Sequence, residues 1–114
     1  LSVHEGPIGI SPRYTTPLEP GMITSNEPGF YLEVRFGIRI ENLVLVIESP
    51  THPGFLEFES LTLAPIDTRL IDFPLLTRAE IDWLNAYHAR VLAEIGPNLS
   101  PGDRTWLEQA TRPV

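Results

Sequence analysis

The sequence predicts an α+β fold in which an antiparallel sheet is followed by helices. Two observations carry this prediction: β-branched and aromatic runs between Gly and Pro turns fill the first part of the chain, and helical periodicity appears only afterwards. Strands first and helices last indicate segregated elements rather than alternating βα units. With 114 residues and 42% hydrophobic content, we expect a single domain, loop and sheet over 1–66 and helical over 67–114.

The first 21 residues are predicted to be an ordered loop. They are dense in residues that break helices and favour turns, namely Gly6, Pro7, Gly9, Pro12, Pro17, Pro20 and Gly21. A short strand is expected from Met22 to Glu27, closed by the Pro-Gly turn that follows.

The strongest strand signal is "GIRIENLVLVIE", residues 37–48, with the strand expected over 38–47. Apolar residues occupy both alternating sets of positions, which is typical of a strand covered on both faces. We therefore expect a central strand there. "SPTHPGF", residues 49–55, predicts a turn, and "FLEFESLTLAPI" predicts one further strand or a pair of strands up to Pro65.

The C-terminal part has helical signals. Thr77 with Glu80 three residues later forms a capping box pattern, and Gly96-Pro97 ends the helix. Apolar residues recur between them at helical spacing, at Ile81, Leu84, Val91 and Ile95. A shorter helix is expected over about 103–110.

Composition excludes several classes of function. A net charge of −7 with only 8 lysines and arginines argues against nucleic acid or an anionic membrane surface as partner. The absence of cysteine excludes disulfides and thiolate chemistry. No apolar run approaches the roughly 18 residues of a membrane span, and no signal peptide is evident. We expect a cytoplasmic protein and, since the chain begins at Leu1 without Met, a piece of a longer one.

Glu41 lies within the most apolar run of the chain, where an isolated charge is costly. Side chains alternate along a strand, so Arg39 and Glu41 share a face, and an antiparallel partner strand would bring Glu27 close. Either Arg39 neutralises the carboxylates in a structural ion pair, or they hold a divalent cation. Two glutamates alone are too few for a hard cation, which takes about six donors.

Histidine and tyrosine side chains offer further candidates. His4, in a Gly/Pro-rich loop, is either an ordinary polar residue or a donor to a substrate carbonyl. Tyr31 is either a packing residue or a hydroxyl donor. We expect structural roles for His52, in a turn, and His88, on a helix.

Five segments in order resemble the C-terminal part of the Xaa-Pro aminopeptidase (aminopeptidase P) family. They are "VHEGP", "PLEPGMITSNEPGFY", "GIRIENLVLV", "FLEFESLTLAPID" and "LLTRAEIDWLNAYHARV". The resemblance implies the C-terminal half of a pita-bread metallopeptidase fold, with a curved antiparallel sheet. It also implies a hydrolase for peptides with proline at the second position.

The resemblance further implies a site with two divalent cations, typically manganese. Glu27 and Glu41 take the positions of metal ligands, and Glu27 also that of the group that handles the proton of the attacking water. His4 takes the position beside the reacting carbonyl. Tyr31 and Arg39 fall where hydrogen bonds to the ligands are expected.

The remaining ligands of that family, two aspartates and a histidine, precede the segment that begins here. We therefore expect an incomplete site and an inactive isolated chain, which pairs with a missing N-terminal part or self-associates. Two alternatives stay open. One is a non-catalytic pita-bread module that binds peptides or proteins, and the other is a small α+β domain whose glutamates pair with Arg39 and Arg35.

Overall fold

The computed structural model describes residues 6–114. Its β-strands precede its α-helices, which confirms the α+β prediction. The elements are β1 (Ile23–Asn26), β2 (Gly29–Leu32), β3 (Phe36–Arg39), β4 (Asn42–Glu48), β5 (Leu56–Ser60), α1 (Arg78–Ile95) and α2 (Pro101–Ala110). No helix within the described range has the length and apolar character needed to cross a bilayer.

The chain divides into two compact units, residues 1–62 and 63–114. The first contains all the strands and the second both α-helices. This division falls four residues before the boundary we expected between 66 and 67. That the two parts together form a single domain stays a prediction.

In the first unit, β4 is the central strand of a three-stranded antiparallel sheet with the order β1-β4-β5. Val44 and Val46 are buried on one face of β4. On the other face Leu45 and Ile47 are partly buried but Leu43 is 48% exposed, so the expected cover on both faces of β4 is incomplete at this end of the strand. The reason is that Leu43 lines an open cavity.

The predicted continuous strand over 38–47 is also wrong, because β3 ends at Arg39 and β4 begins only at Asn42. β3 pairs with β2 in a separate two-stranded sheet, whereas β4 pairs with β1. The residue opposite the interruption is Pro28, which has no N–H to give to a ladder. Its carbonyl still accepts a hydrogen bond from the Ile40 N–H at 3.3 Å. Proline therefore breaks the ladder while the two chain segments stay side by side.

The turn between β2 and β3 holds Val34 in a left-handed conformation, with φ of 60° and 99% of its surface exposed. A β-branched residue is strained there, by roughly 1–2 kcal/mol, and contributes no packing in return. Val34→Gly should raise the free energy of unfolding by about 0.5–1 kcal/mol after glycine's larger chain entropy is subtracted. Urea denaturation would measure it.

The matched control for that substitution is Arg35→Gly in the same turn. Arg35 is not at positive φ, so glycine relieves nothing there and should lower stability by about 0.5–1 kcal/mol. Equal effects of the two glycine variants would contradict the strain at Val34.

The second unit has a core of Tyr87, Val91 and Leu107. Partly buried side chains pack around this core, namely Leu63, Ile66, Leu92, Ile95 and Leu99. The capping box of Thr77 and Glu80 is confirmed, with both reciprocal hydrogen bonds present. α2 begins at Pro101, two residues earlier than predicted, because the Ser100 side chain accepts from the Asp103 N–H and proline suits the first helical turn.

His88 lies in the interior of the second unit and is 0% exposed. Its Nε2 accepts a hydrogen bond from the Ile66 N–H at 3.0 Å. Tyr87 precedes His88 on α1, and its hydroxyl donates to the Ala64 carbonyl at 2.9 Å. Together these bonds tie the extended segment at 64–66 to α1, so the structural role expected for His88 is confirmed.

Candidate metal centre

The candidate site lies at the interruption between the two β-ladders. Asn26 pairs with Asn42 at the end of one ladder, and Gly29 pairs with Arg39 at the start of the other. The register is therefore unchanged across the gap, and Glu27 lies opposite Glu41. Residues paired across antiparallel strands share a face. The two carboxylates thus face each other where the hydrogen-bonded ladder is broken.

Residues two and four positions from Glu27 on one segment, and from Glu41 on the other, lie on the same face as the two carboxylates. They form opposed pairs, in order Ser25 with Leu43, Glu27 with Glu41, Gly29 with Arg39, and Tyr31 with Gly37. Every residue that the sequence nominated for this site, except His4, lies in this array. His4 is outside the described residues.

Arg39 connects the polar members of the array. Its Nη1 donates to Glu27 Oε2 in a close ion pair and lies 3.8 Å from Glu41 Oε2. Its Nε donates to the Tyr31 hydroxyl at 2.7 Å. The pKa of the Arg39 guanidinium is raised, first by Tyr31 and then by the two carboxylates. Arg39 is therefore a fixed cation between two facing anions.

Glu27 is the more constrained of the two carboxylates. Ser25 Oγ donates to its Oε1 at 2.9 Å, while Arg39 holds its Oε2. The Glu27 side chain is 21% exposed, and that of Glu41 is 47% exposed. Ser25 was missed from the sequence, although its position two residues before Glu27 on a predicted strand placed it on the same face.

Both carboxylates line an open cavity of about 840 Å³. A second wall comes from the N-terminal loop, through Ile8, Gly9, Ile10, Ser11 and Tyr14. The Tyr14 ring lies against the Gly9 backbone so closely that a Cβ on Gly9 would overlap it. The loop predicted to be ordered therefore contributes an apolar wall beside the carboxylates, a role that the sequence did not indicate.

The chemistry of the donors fits a hard divalent cation, which prefers carboxylate oxygens. Their number does not complete a site. Among residues 6–114 no group of three or more His, Cys, Asp or Glu side chains is arranged to hold a metal ion. Within that range the carboxylates share one cation, Arg39, so the ion pair we considered from the sequence exists.

Comparison with known protein families matches the chain in two adjoining stretches. Residues 1–48 match the model of metallopeptidase family M24, and residues 54–114 match the model of the C-terminal region of peptidase M24. Glu27, Glu41 and the whole array around them lie in the first stretch. The core of the second unit lies in the second.

Individual relatives agree with the family models. The chain is 51% identical to aminopeptidase P2 of Arabidopsis thaliana and 44% identical to Xaa-Pro aminopeptidase app-1 of Caenorhabditis elegans, over its whole length. It spans only 17% and 20% of those proteins. The chain thus corresponds to about a fifth of the length of its relatives.

A solved structure shows the same fold. The crystal structure of X-prolyl aminopeptidase from Caenorhabditis elegans, described as a cytosolic enzyme with a di-nuclear active site, superimposes with a TM-score of 0.88 at 45% identity. The match covers 100% of this chain and 20% of that one. The predicted resemblance to Xaa-Pro aminopeptidases and the pita-bread fold are confirmed, and the chain belongs to metallopeptidase family M24.

Proposed function

We propose that this chain forms the C-terminal part of the catalytic domain of a two-metal Xaa-Pro aminopeptidase, which hydrolyses the bond before proline at the second position of a peptide. One observation carries the proposal: Glu27 faces Glu41 at a break in the ladder, in a chain 51% identical over its length to an aminopeptidase P. Two carboxylates that lie outside the hydrogen-bonded ladder and face a cavity are better placed to bind a ligand than to pack within the sheet.

Glu27 and Glu41 would hold the two divalent cations, with manganese as the expected metal. Bound divalent cations acidify water and polarise a carbonyl. The other ligands would come from residues outside this chain. The ligand set of the complete protein is thus a proposal, supported by the di-nuclear site described for the Caenorhabditis elegans enzyme.

The residues of this chain have distinct roles in the proposal. Glu27 accepts the proton of the attacking water and returns it to the amine leaving group. Arg39 orients both carboxylates, and Tyr31 orients Arg39 through its Nε. His4 would donate to the reacting carbonyl, as the family resemblance implies.

We also propose that the isolated chain is inactive and pairs with the preceding part of such a catalytic domain, with self-association as the alternative. Support comes from exposed apolar surface on the face of the β2–β3 hairpin opposite Tyr31, where Phe30 is 61% and Phe36 is 52% exposed and their ring centroids lie 6.1 Å apart. Apolar surface clustered in this way is typical of an interface. The Caenorhabditis elegans relative is cytosolic, and we propose the same location here.

The test is to assay release of the first residue from an Xaa-Pro peptide with Mn²⁺, using this chain alone and joined to the preceding catalytic segment of a family relative. We expect turnover only in the longer protein. Glu41→Gln should reduce Mn²⁺ affinity and turnover at least about 100-fold, because even groups behind metal ligands are worth roughly 10–100-fold.

Glu33→Gln is the matched control, since Glu33 lies in the exposed turn of the same hairpin. This control substitution should leave Mn²⁺ affinity and turnover unchanged. Robust turnover by the 114-residue chain would overturn the expected inactivity. Unchanged Mn²⁺ affinity in Glu41→Gln would overturn the metal role and leave the ion pair with Arg39 as the function of that carboxylate.

A further inference from the structure

Two glycines on the site face lie directly beneath the Tyr31 ring. Gly37 is paired with Tyr31 across the β2–β3 ladder, and Gly29 lies two residues before Tyr31 on the same strand and face. A Cβ built on Gly37 would lie 2.5 Å from Tyr31 Cδ1, and one built on Gly29 would lie 2.7 Å from Tyr31 Cε2. Both distances are far inside van der Waals contact. The ring therefore lies flat across bare backbone at two adjacent positions.

Backbone conformation does not explain these glycines. The described glycines with positive φ are Gly21 and Gly54, whereas Gly29 and Gly37 lie in regular strand conformation. Glycine in a strand costs stability relative to alanine, and it is found where another group approaches the backbone closely. At both positions the group that approaches is the Tyr31 ring.

The flat orientation determines where the Tyr31 hydroxyl lies. With the ring across Gly29, the hydroxyl reaches toward Arg39, the cross-strand partner of Gly29, and accepts from its Nε at 2.7 Å. The same guanidinium contacts Glu27 and Glu41 through Nη1. A ring lifted by even one methyl group would move the hydroxyl away from Nε, since the phenol is rigid beyond its χ angles.

We propose that Gly29 and Gly37 are positioning residues that act on the two carboxylates through Tyr31 and Arg39. This inference rests on the proposed function for the role of Glu27 and Glu41 as metal ligands. The steric relation between the glycines, Tyr31 and Arg39 is independent of that function. The steric relation and the effect on metal binding are therefore tested by separate measurements.

The first measurement follows the Arg39 Nε–H resonance by NMR in the ¹⁵N-labelled chain, assigned through its loss in Arg39→Lys. Hydrogen bonding to Tyr31 protects this proton from exchange. Gly37→Ala should increase its exchange rate to that of Tyr31→Phe, as should Gly29→Ala. Gly102→Ala is the matched control, because a Cβ there meets nothing within 4 Å. Unchanged exchange in both Gly29→Ala and Gly37→Ala would overturn the inference.

A double-mutant cycle separates this role from general damage to the hairpin. In a Tyr31→Ala background the ring is gone, so Gly37→Ala should no longer lower the denaturation midpoint. If Gly37→Ala alone fails to fold and the double variant folds, the inference is supported. If the double variant is destabilised as much as the single one, or fails to fold while Tyr31→Ala folds, the inference is wrong.

The second measurement is Mn²⁺ affinity in the longer protein, in which this chain is joined to the preceding catalytic segment of a family relative. Gly37→Ala should weaken it by about 10–100-fold, the usual effect of losing support behind a metal ligand, and should add nothing to Tyr31→Ala. If Glu41→Gln weakens Mn²⁺ binding and Gly37→Ala does not, the positioning role of the glycines is wrong and the proposed function still stands. If neither changes affinity, the proposed function fails, and the NMR result still decides the steric relation.

Discussion

Leu107→Ala should lower the free energy of unfolding of the helical unit by about 2–5 kcal/mol, the range for truncating a fully packed leucine. Leu107 is 2% exposed and packs with Tyr87 and Val91 in the core that joins α2 to α1. Domains are stable by only about 5–15 kcal/mol, so this one side chain accounts for a large share. The chain's 2 tryptophans, Trp83 and Trp106, both lie in this unit and report its unfolding in urea.

The same substitution at Leu70 is the control. Leu70 belongs to the same unit and is 77% exposed, so its truncation should change stability by no more than about 0.5 kcal/mol. Similar effects at Leu107 and Leu70 would show that α2 does not dock on α1 through this core.

The helical unit was predictable because its signals are local. The capping box at Thr77 and the Gly96-Pro97 stop need only neighbouring residues, and the structure places α1 between them. The error at α2 was also local: Ser100 and Pro101 form a cap and first turn that were overlooked. Its outcome was a helix predicted two residues too short.

The strand that carries the site was predicted less well. Hydrophobic alternation indicated one strand over 38–47, because an apolar pattern does not show which partner each residue pairs with. The break at Ile40 and Glu41 depends on Pro28, which lies opposite Ile40 on the partner segment and belongs to a different part of the sequence pattern. Pro28 therefore accounts both for the wrong prediction and for the position of the two glutamates outside the hydrogen-bonded ladder.

The site residues themselves were reached by two routes. Strand alternation placed Arg39 beside Glu41, and the family resemblance assigned the metal roles, which stay proposals. The tight packing of Tyr31 on Gly29 and Gly37 could not be read from the sequence, because the strand segments containing those glycines give no sign of a ring lying over them. Side-chain orientation in three dimensions was needed to see it.

Stability of the helical unit should fall as the pH drops below about 6.5, the ordinary pKa of histidine. Burial lowers the pKa of His88 in the folded state. The unfolded chain then binds a proton at a pH where the folded chain does not, so protonation favours unfolding. This contribution is fully present above the unfolded pKa and is lost progressively below it, by at most about 1.4 kcal/mol per pH unit for one proton.

The contacts of His88 explain why its protonation is costly. Nε2 accepts from the Ile66 N–H, and a ring nitrogen can accept only when it carries no proton. The proton of the neutral ring is therefore on Nδ1, which has no hydrogen-bond partner among the described residues. A second proton would set two donors against each other at 3.0 Å in a site that is 0% exposed.

Urea denaturation between pH 7 and 5 measures this effect. Arg69 lowers the pKa of Asp67 to about 2, and Thr77 lowers the pKa of Glu80, so these two carboxyls titrate below that range. His88→Gln keeps an acceptor for Ile66 and cannot be protonated, so its stability should be nearly constant over this range. His52→Gln, at a side chain 73% exposed, should retain the pH dependence of the unaltered chain. If His88→Gln retains it as well, another group titrates on unfolding and the bond from Ile66 is not its source.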